Sequence, residues 1–153
     1  DAPVVIGQAG WKIELRDGGW RGEKVLAEAR TFNNQIFFTT FTPGTPASAN
    51  DCIPSLGTNR LYVVDIFNGA PVNNLDGLGD DQELTLTDRY TEFEGSIASE
   101  AILLFPSPEN PDDPDCVGDQ CDPPPLVCVD LFCFSAGFGN DPVRTFWSQE
   151  SAR

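Results

Sequence analysis

Short runs of β-branched and aromatic residues recur along this chain, each closed off by glycine, proline, asparagine or aspartate. Within the runs apolar residues alternate with polar ones or stand side by side, and the spacing of an amphipathic helix is nearly absent. Strands are therefore predicted at Trp11–Leu15, Val25–Phe32, Gln35–Thr42, Asn59–Phe67, Glu83–Tyr90, Ile97–Phe105, Leu126–Phe134 and Val143–Trp147. Asn33-Asn34 has the length and chemistry of a two-residue hairpin turn, since asparagine tolerates positive φ. In Gln35–Phe41 and Ile97–Phe105 the apolar residues do not alternate cleanly with polar ones, which is how strands buried on both faces read. The expected class is all-β.

A weak repeat runs through the pattern. Trp11-Lys12-Ile13-Glu14-Leu15-Arg16-Asp17-Gly18 matches Tyr62-Val63-Val64-Asp65-Ile66-Phe67-Asn68-Gly69 as aromatic, apolar, acid, apolar and an Asx-Gly turn, with a third copy at Val143–Gln149. Repeats of roughly 40–50 residues with four short strands are those of propeller blades; two unrelated strands ending in common turns is the plainer alternative. The implied organisation is an extension or linker at 1–10, about two blades of a β-propeller over 11–150 and a tail at 151–153. A Cys/Pro/Asp-rich loop insertion at 106–125 interrupts it. There Pro106, Pro108, Pro111, Pro114 and Pro123–Pro125 forbid a central strand, and the aspartates keep the segment in water.

Composition narrows the chemistry. The chain has 153 residues, enough for one domain with a sizeable core. Nine basic against 24 acidic residues give a net charge of −15, which argues against nucleic acid or anionic lipid as partner. There is no histidine, so Ser-His-Asp and Cys-His catalysis, imidazole zinc sites and c-type haem attachment are excluded. No apolar run approaches the roughly 18–20 residues of a membrane span. The pattern of a secretory leader is missing, and a start at Asp1-Ala2-Pro3 reads as a piece processed from something longer.

Five cysteines, four of them between 116 and 133, fit an oxidising compartment. Without histidine, and with the irregular spacing of CVGDQC and CVDLFC, zinc is disfavoured. Cys116 and Cys121 enclose Gly118-Asp119, which can turn the chain back, so they are expected to pair. Cys128 and Cys133 enclose Val-Asp-Leu-Phe, which reads as strand. If extended, that stretch would hold their α-carbons about 16 Å apart, far beyond the roughly 7 Å limit for a disulfide. Their pairing therefore requires a turn or bulge near Asp130; otherwise each bonds elsewhere, with Cys52 or Cys121 available.

Two further features are candidate contacts. With Gly77 as the sixth position of a calcium loop, Asn74 falls at three, Asp76 at five, Asp80 at nine and Glu83 at twelve, all oxygen donors. Val72 at position one has no ligand oxygen, and a solvated acidic turn is the alternative. Among the tryptophans, whose rings can stack on sugars, Trp147 sits in an alternating strand and is expected to pack. Trp20, between Gly18-Gly19 and Arg21-Gly22, is the exposed candidate for adhesive contact.

Several strings together resemble the carboxy-terminal region of the PilY family of type IV pilus tip-associated adhesins and biogenesis proteins. They are GWKIELRDGG, GEKVLAEARTFNNQIFFTTFTP, DCIPSLGTNRLYVVDIFNGAP, the CVGDQC…CVDLFC insertion and DPVRTFWSQE, in the family's order. The resemblance implies a modified, quinoprotein-like β-propeller at the end of a long protein exported through the periplasm to the pilus tip. It implies a non-enzymatic role in pilus priming with minor pilins and in adhesion to a host or abiotic surface. Family members often carry an intact Asp-x-Asn-x-Asp-Gly loop, from which Val72 departs. Two rival readings are a subunit of an extracellular filament or surface layer joined through β-strands, and a quinoprotein-like oxidoreductase fragment. About two blades leave two apolar faces without neighbours, so the chain is expected to lie against other blades of its parent or against copies of itself. The Trp11–Leu15 strand is then expected to pair with a sheet not fully supplied by the chain.

Overall fold

The computed structural model describes residues 5–7, 10–16, 19–45, 56–79, 83–106 and 123–138. Among these residues the regular structure is ten strands and one 3-10 turn, Leu86–Arg89. The strands are β1 (Val5–Gly7), β2 (Gly10–Lys12), β3 (Lys24–Val25), β4 (Arg30–Phe32), β5 (Gln35–Thr42), β6 (Gly57–Asp65), β7 (Tyr90–Gly95), β8 (Ile102–Leu104), β9 (Leu126–Val129) and β10 (Phe132–Ser135). Every pairing is antiparallel. The chain is all-β, and no helix among the described residues is long and apolar enough to cross a membrane.

The larger sheet is a meander in which β5 and β6 form the centre and β7 one edge. On the flank of β5 away from β6, β3 pairs with Phe41 and Thr40, and β4 with Phe37, Ile36 and Gln35. Residues 26–29 oppose only residues 38–39 of β5, so the excess bulges out and splits the single strand expected over Val25–Phe32. The Asn33-Asn34 turn forms as expected, with φ of 47° and 61°, the paired positive values that a tight hairpin requires. The smaller sheet, in the order β10-β9-β8, is a second meander.

Alternation decides which side chains meet between the sheets. Phe37 of β5 and Leu61 and Val63 of β6 pack with Ala98, Ala101, Val127, Val129 and Ala136 in one buried cluster. Asn59, 1% exposed, shares that inner face. Its amide donates to Ser96 O at 2.9 Å and accepts from Ala98 N at 3.0 Å. This satisfied polar group ties the segment linking the sheets to the core.

Several strand expectations are corrected. Glu83–Tyr90 is not a strand: Thr85 and Asp88 form a capping box on the Leu86–Arg89 turn, and the strand begins at Tyr90. The Thr85 hydroxyl donates to Asp88 Oδ2 at 3.0 Å and Asp88 N to Thr85 O at 3.2 Å, so local side-chain bonds win over β propensity. Ile97–Phe105 shrinks to Ile102–Leu104, because Asn59 holds the backbone at Ser96 and Ala98 away from a strand path. Leu126–Phe134 is a hairpin, with Asp130 at φ 52° in its turn. Of Trp11–Leu15 only Trp11 and Lys12 are strand, within β2; β2 pairs with Val5–Gly7, inside the stretch expected as an extension. The predicted strand Val143–Trp147 and nearly all of the 106–125 insertion lie outside the described residues.

Candidate functional site

The chain leaves β6 through a tight turn at residues 66–69. Asp65 Oδ1 accepts from Phe67 N at 2.8 Å and Asn68 N at 3.1 Å, while Gly69 N donates to Asp65 O at 2.9 Å. Gly69 has φ 66°, and a Cβ there would stand 2.7 Å from the Trp11 ring. The indole lies against the bare turn and donates from Nε1 to Ile66 O at 2.9 Å. Trp11 and Gly69, the first residue of one repeat copy and the last of the other, thus meet in space.

Beyond this turn Pro71 bridges back to Val64 and the polar loop begins. Asn74 Oδ1 accepts from Gly77 N at 2.8 Å, its amide nitrogen donates to Leu78 O at 3.3 Å, and Asp76 Oδ1 accepts from Leu78 N at 2.8 Å. The Leu78 amide, with a further contribution from the Thr87 hydroxyl, holds the Asp76 carboxyl below the usual carboxylate range. Two of the four proposed calcium donors are therefore engaged in folding the loop on itself. Glu83 is exposed, and Asp80 lies outside the described residues. Among the described residues no three acidic, cysteine or histidine side chains gather in a metal-sized group, so the described donors do not by themselves make a calcium cage.

The same loop walls a cavity of about 500 Å³. Val72, Leu75 and Leu84 line it from the loop side and Phe134 from β10; among the described residues the polar side chains at its wall are Asn73, Asn74 and Ser135. Val72, Leu75 and Phe134 also pack on the buried core, so the floor of the cavity is fixed. Asn73 sits against Gly137, where φ is 74° and a Cβ would fall 2.1 Å from the amide. Only glycine admits that approach.

On the outer face of the larger sheet lies a charged cluster that the sequence reading missed. Glu23 is buried and accepts from Thr40 Oγ1 at 2.6 Å, Tyr62 Oη at 3.3 Å and Arg60 at 3.1 Å. Arg60 also meets Glu92 Oε1 at 2.8 Å through Nε and 2.7 Å through its other terminal nitrogen, and lies 4.3 Å over the Tyr90 ring. Phe38, Tyr62 and Tyr90 are cross-strand partners, with ring centroids 4.8 Å and 5.2 Å apart in succession. Burial pushes the Tyr62 phenol up, with the Glu23 charge adding to it. Burial alone would lower the Arg60 guanidinium, but the bond to Glu92 and the charge of Glu23 leave it raised. With three donors on Glu23, the cluster locks the segment before β3 onto the sheet. Its one sequence signal was an arginine inside an apolar run, Asn59-Arg60-Leu61-Tyr62-Val63-Val64.

Cys128 and Cys133 form a disulfide. They are cross-strand partners one step beyond the β9–β10 turn, with α-carbons 4.1 Å apart. That spacing belongs to a non-hydrogen-bonded antiparallel pair, and it exists because the chain turns at Asp130. Cys52, Cys116 and Cys121 lie outside the described residues, as does Trp147. Trp20 is 77% exposed, outside any strand, and remote in sequence from the polar loop.

Comparison with family models, curated proteins and solved structures finds no match to this chain.

Proposed function

We propose that the chain is a non-enzymatic piece of a type IV pilus tip protein of the PilY kind, a pair of consecutive propeller blades serving assembly and surface contact. The observation that carries this reading is the stacking of two successive antiparallel meanders face to face, as neighbouring blades of a propeller do. The order of the PilY-like strings and the oxidised cysteine pair add to it. Its partners are the remaining blades or copies of itself, minor pilins, and a host or abiotic surface, reached through the periplasm. Trp20 is one contact residue in this reading, and calcium at the Asn74–Glu83 loop would require donors beyond those described.

The test is immunogold labelling of native cells that make the chain, with antibody raised against residues 1–153. Gold at filament ends is expected. Gold spread along filaments or over the cell surface supports the rival subunit of a filament or surface layer, and gold absent from any surface structure overturns both.

A further inference from the structure

We infer that the cavity between the polar loop and β10 binds the ring of a neutral pyranose, so that the surface recognised is a glycan. The inference rests on the surface-contact reading above and names its ligand. At about 500 Å³ the cavity is within the size range of small-molecule sites. Among the described residues no lysine, arginine, aspartate or glutamate lines it, so the described wall offers no charge to balance an anionic or cationic ligand, which favours a neutral one.

The wall has two chemistries. Phe134 and Leu84 present an apolar surface, and an aromatic ring offers its electron-rich face to the positively polarised C–H groups of a sugar ring that comes to lie on it. The same wall carries groups that both donate and accept, Asn73 and Ser135, which the hydroxyls around a pyranose require. The Asn73 amide nitrogen makes one long bond, 3.5 Å to Ala136 O, and its oxygen has no donor among the described residues. Ser135 Oγ accepts from Gly137 N at 3.3 Å, which leaves its proton for a ligand oxygen. Asn74, held at both ends by its own loop, is a rigid wall. A purely apolar ligand would leave the Asn73 amide oxygen and the Ser135 hydroxyl proton without partners among the described residues.

Saturation-transfer NMR on the full oxidised chain tests this with methyl β-galactoside, methyl α-mannoside and N-acetylglucosamine, and with N-acetylneuraminic acid as the anionic comparison. At least one neutral sugar should bind with millimolar affinity. Ser135→Tyr, which fills the cavity from its exposed rim, should weaken binding at least about tenfold while leaving the β-type circular dichroism unchanged. Leu84→Trp fills it from the other wall and stands in if the first variant does not fold. Absence of binding by all three neutral sugars, equal binding by both filling variants, or equal binding of the anionic sugar would overturn the inference. Gold at filament ends without sugar binding refutes this site alone; sugar binding without gold at a surface structure refutes the pilus reading alone.

Discussion

Arg60→Met isolates the charged cluster on the outer face of the larger sheet. The side chains of Glu23 and Arg60 are only 4% and 8% exposed, so both charges have left water. Removing the cation leaves a buried carboxylate whose remaining donors among the described residues are the hydroxyls of Thr40 and Tyr62. Breaking a buried pair from one side costs about 3–5 kcal/mol. The loss of the Arg60–Tyr90 stacking adds roughly 0.5–1 kcal/mol. The bond to Glu92, whose side chain is 49% exposed, contributes about 0–1 kcal/mol. The two surviving hydroxyl donors place the sum near the low end, about 3–4 kcal/mol. For a chain of this length that lowers the melting temperature by roughly 6–16 °C. The double variant Glu23→Gln/Arg60→Met removes both charges at once and should recover to within about 1 kcal/mol of the parent, because no unpaired ion remains. Urea unfolding of all three proteins at one fixed concentration, with disulfides intact, keeps any self-association common to the series. A single variant within about 1 kcal/mol of the parent, or a double variant worse than the single, would refute the idea that desolvation of Glu23 governs this site.

Three further outcomes are expected. Tyr62 is held neutral by burial, its folded pKa raised above the ordinary value near 10; its contribution is complete below about pH 10 and is lost as pH rises above it, so alkaline unfolding should be less steep in Tyr62→Phe when stability is measured between about pH 9 and 12. Reduction of Cys128–Cys133 should raise hydrogen exchange across 126–135 while β5 and β6 stay protected, since the bond closes only the β9–β10 hairpin; earlier loss of protection at Phe37–Phe41 would contradict this. Gly69→Ala must place a Cβ at φ 66° and 2.7 Å from Trp11, so it should cost about 2 kcal/mol or more and shift tryptophan emission to the red, as measured by urea unfolding followed by fluorescence.

The strands were legible where burial on both faces dictated them. Gln35–Thr42 carries the apolar pattern over its whole length, and β5 occupies that range. Asn33-Asn34 was legible for a local reason, the ease with which asparagine takes positive φ. The Cys128–Cys133 pair was readable only conditionally, because distance along a strand forbids it and a turn at Asp130 permits it. The errors fall where side chains overrule propensity: Asp88 caps a turn inside a β-like run, and Asn59 captures the backbone of residues 96–98 across the sheet. The Glu23–Arg60 pair joins positions remote in sequence and has no local periodicity to betray it. The cavity was half legible, since the 73–83 loop was singled out for its oxygens. Its other wall comes from β10, which the sequence reading had merged into one strand with β9.

The two sheets differ in how they treat their outward faces, and this bears on what can lie beside them. The larger sheet closes its own: Val64, Tyr62 and Arg60 of β6 are buried there, and Glu23 is bonded onto the sheet. The smaller sheet turns Leu103, Val127 and Phe134 inward to the core, so alternation sends Ile102 and Leu104 outward beside Cys128 and Leu126. Ile102 is 54% and Leu104 46% exposed among the described residues. A contiguous outward set of this kind on an antiparallel sheet, where polar residues normally face water, is the side on which another layer gains most by packing. In the blade reading the arrangement is directional: among the described residues the larger sheet covers its outward face with its own charged cluster, whereas the smaller one would offer its outward face to the next blade of the parent chain, or to a second copy of this one.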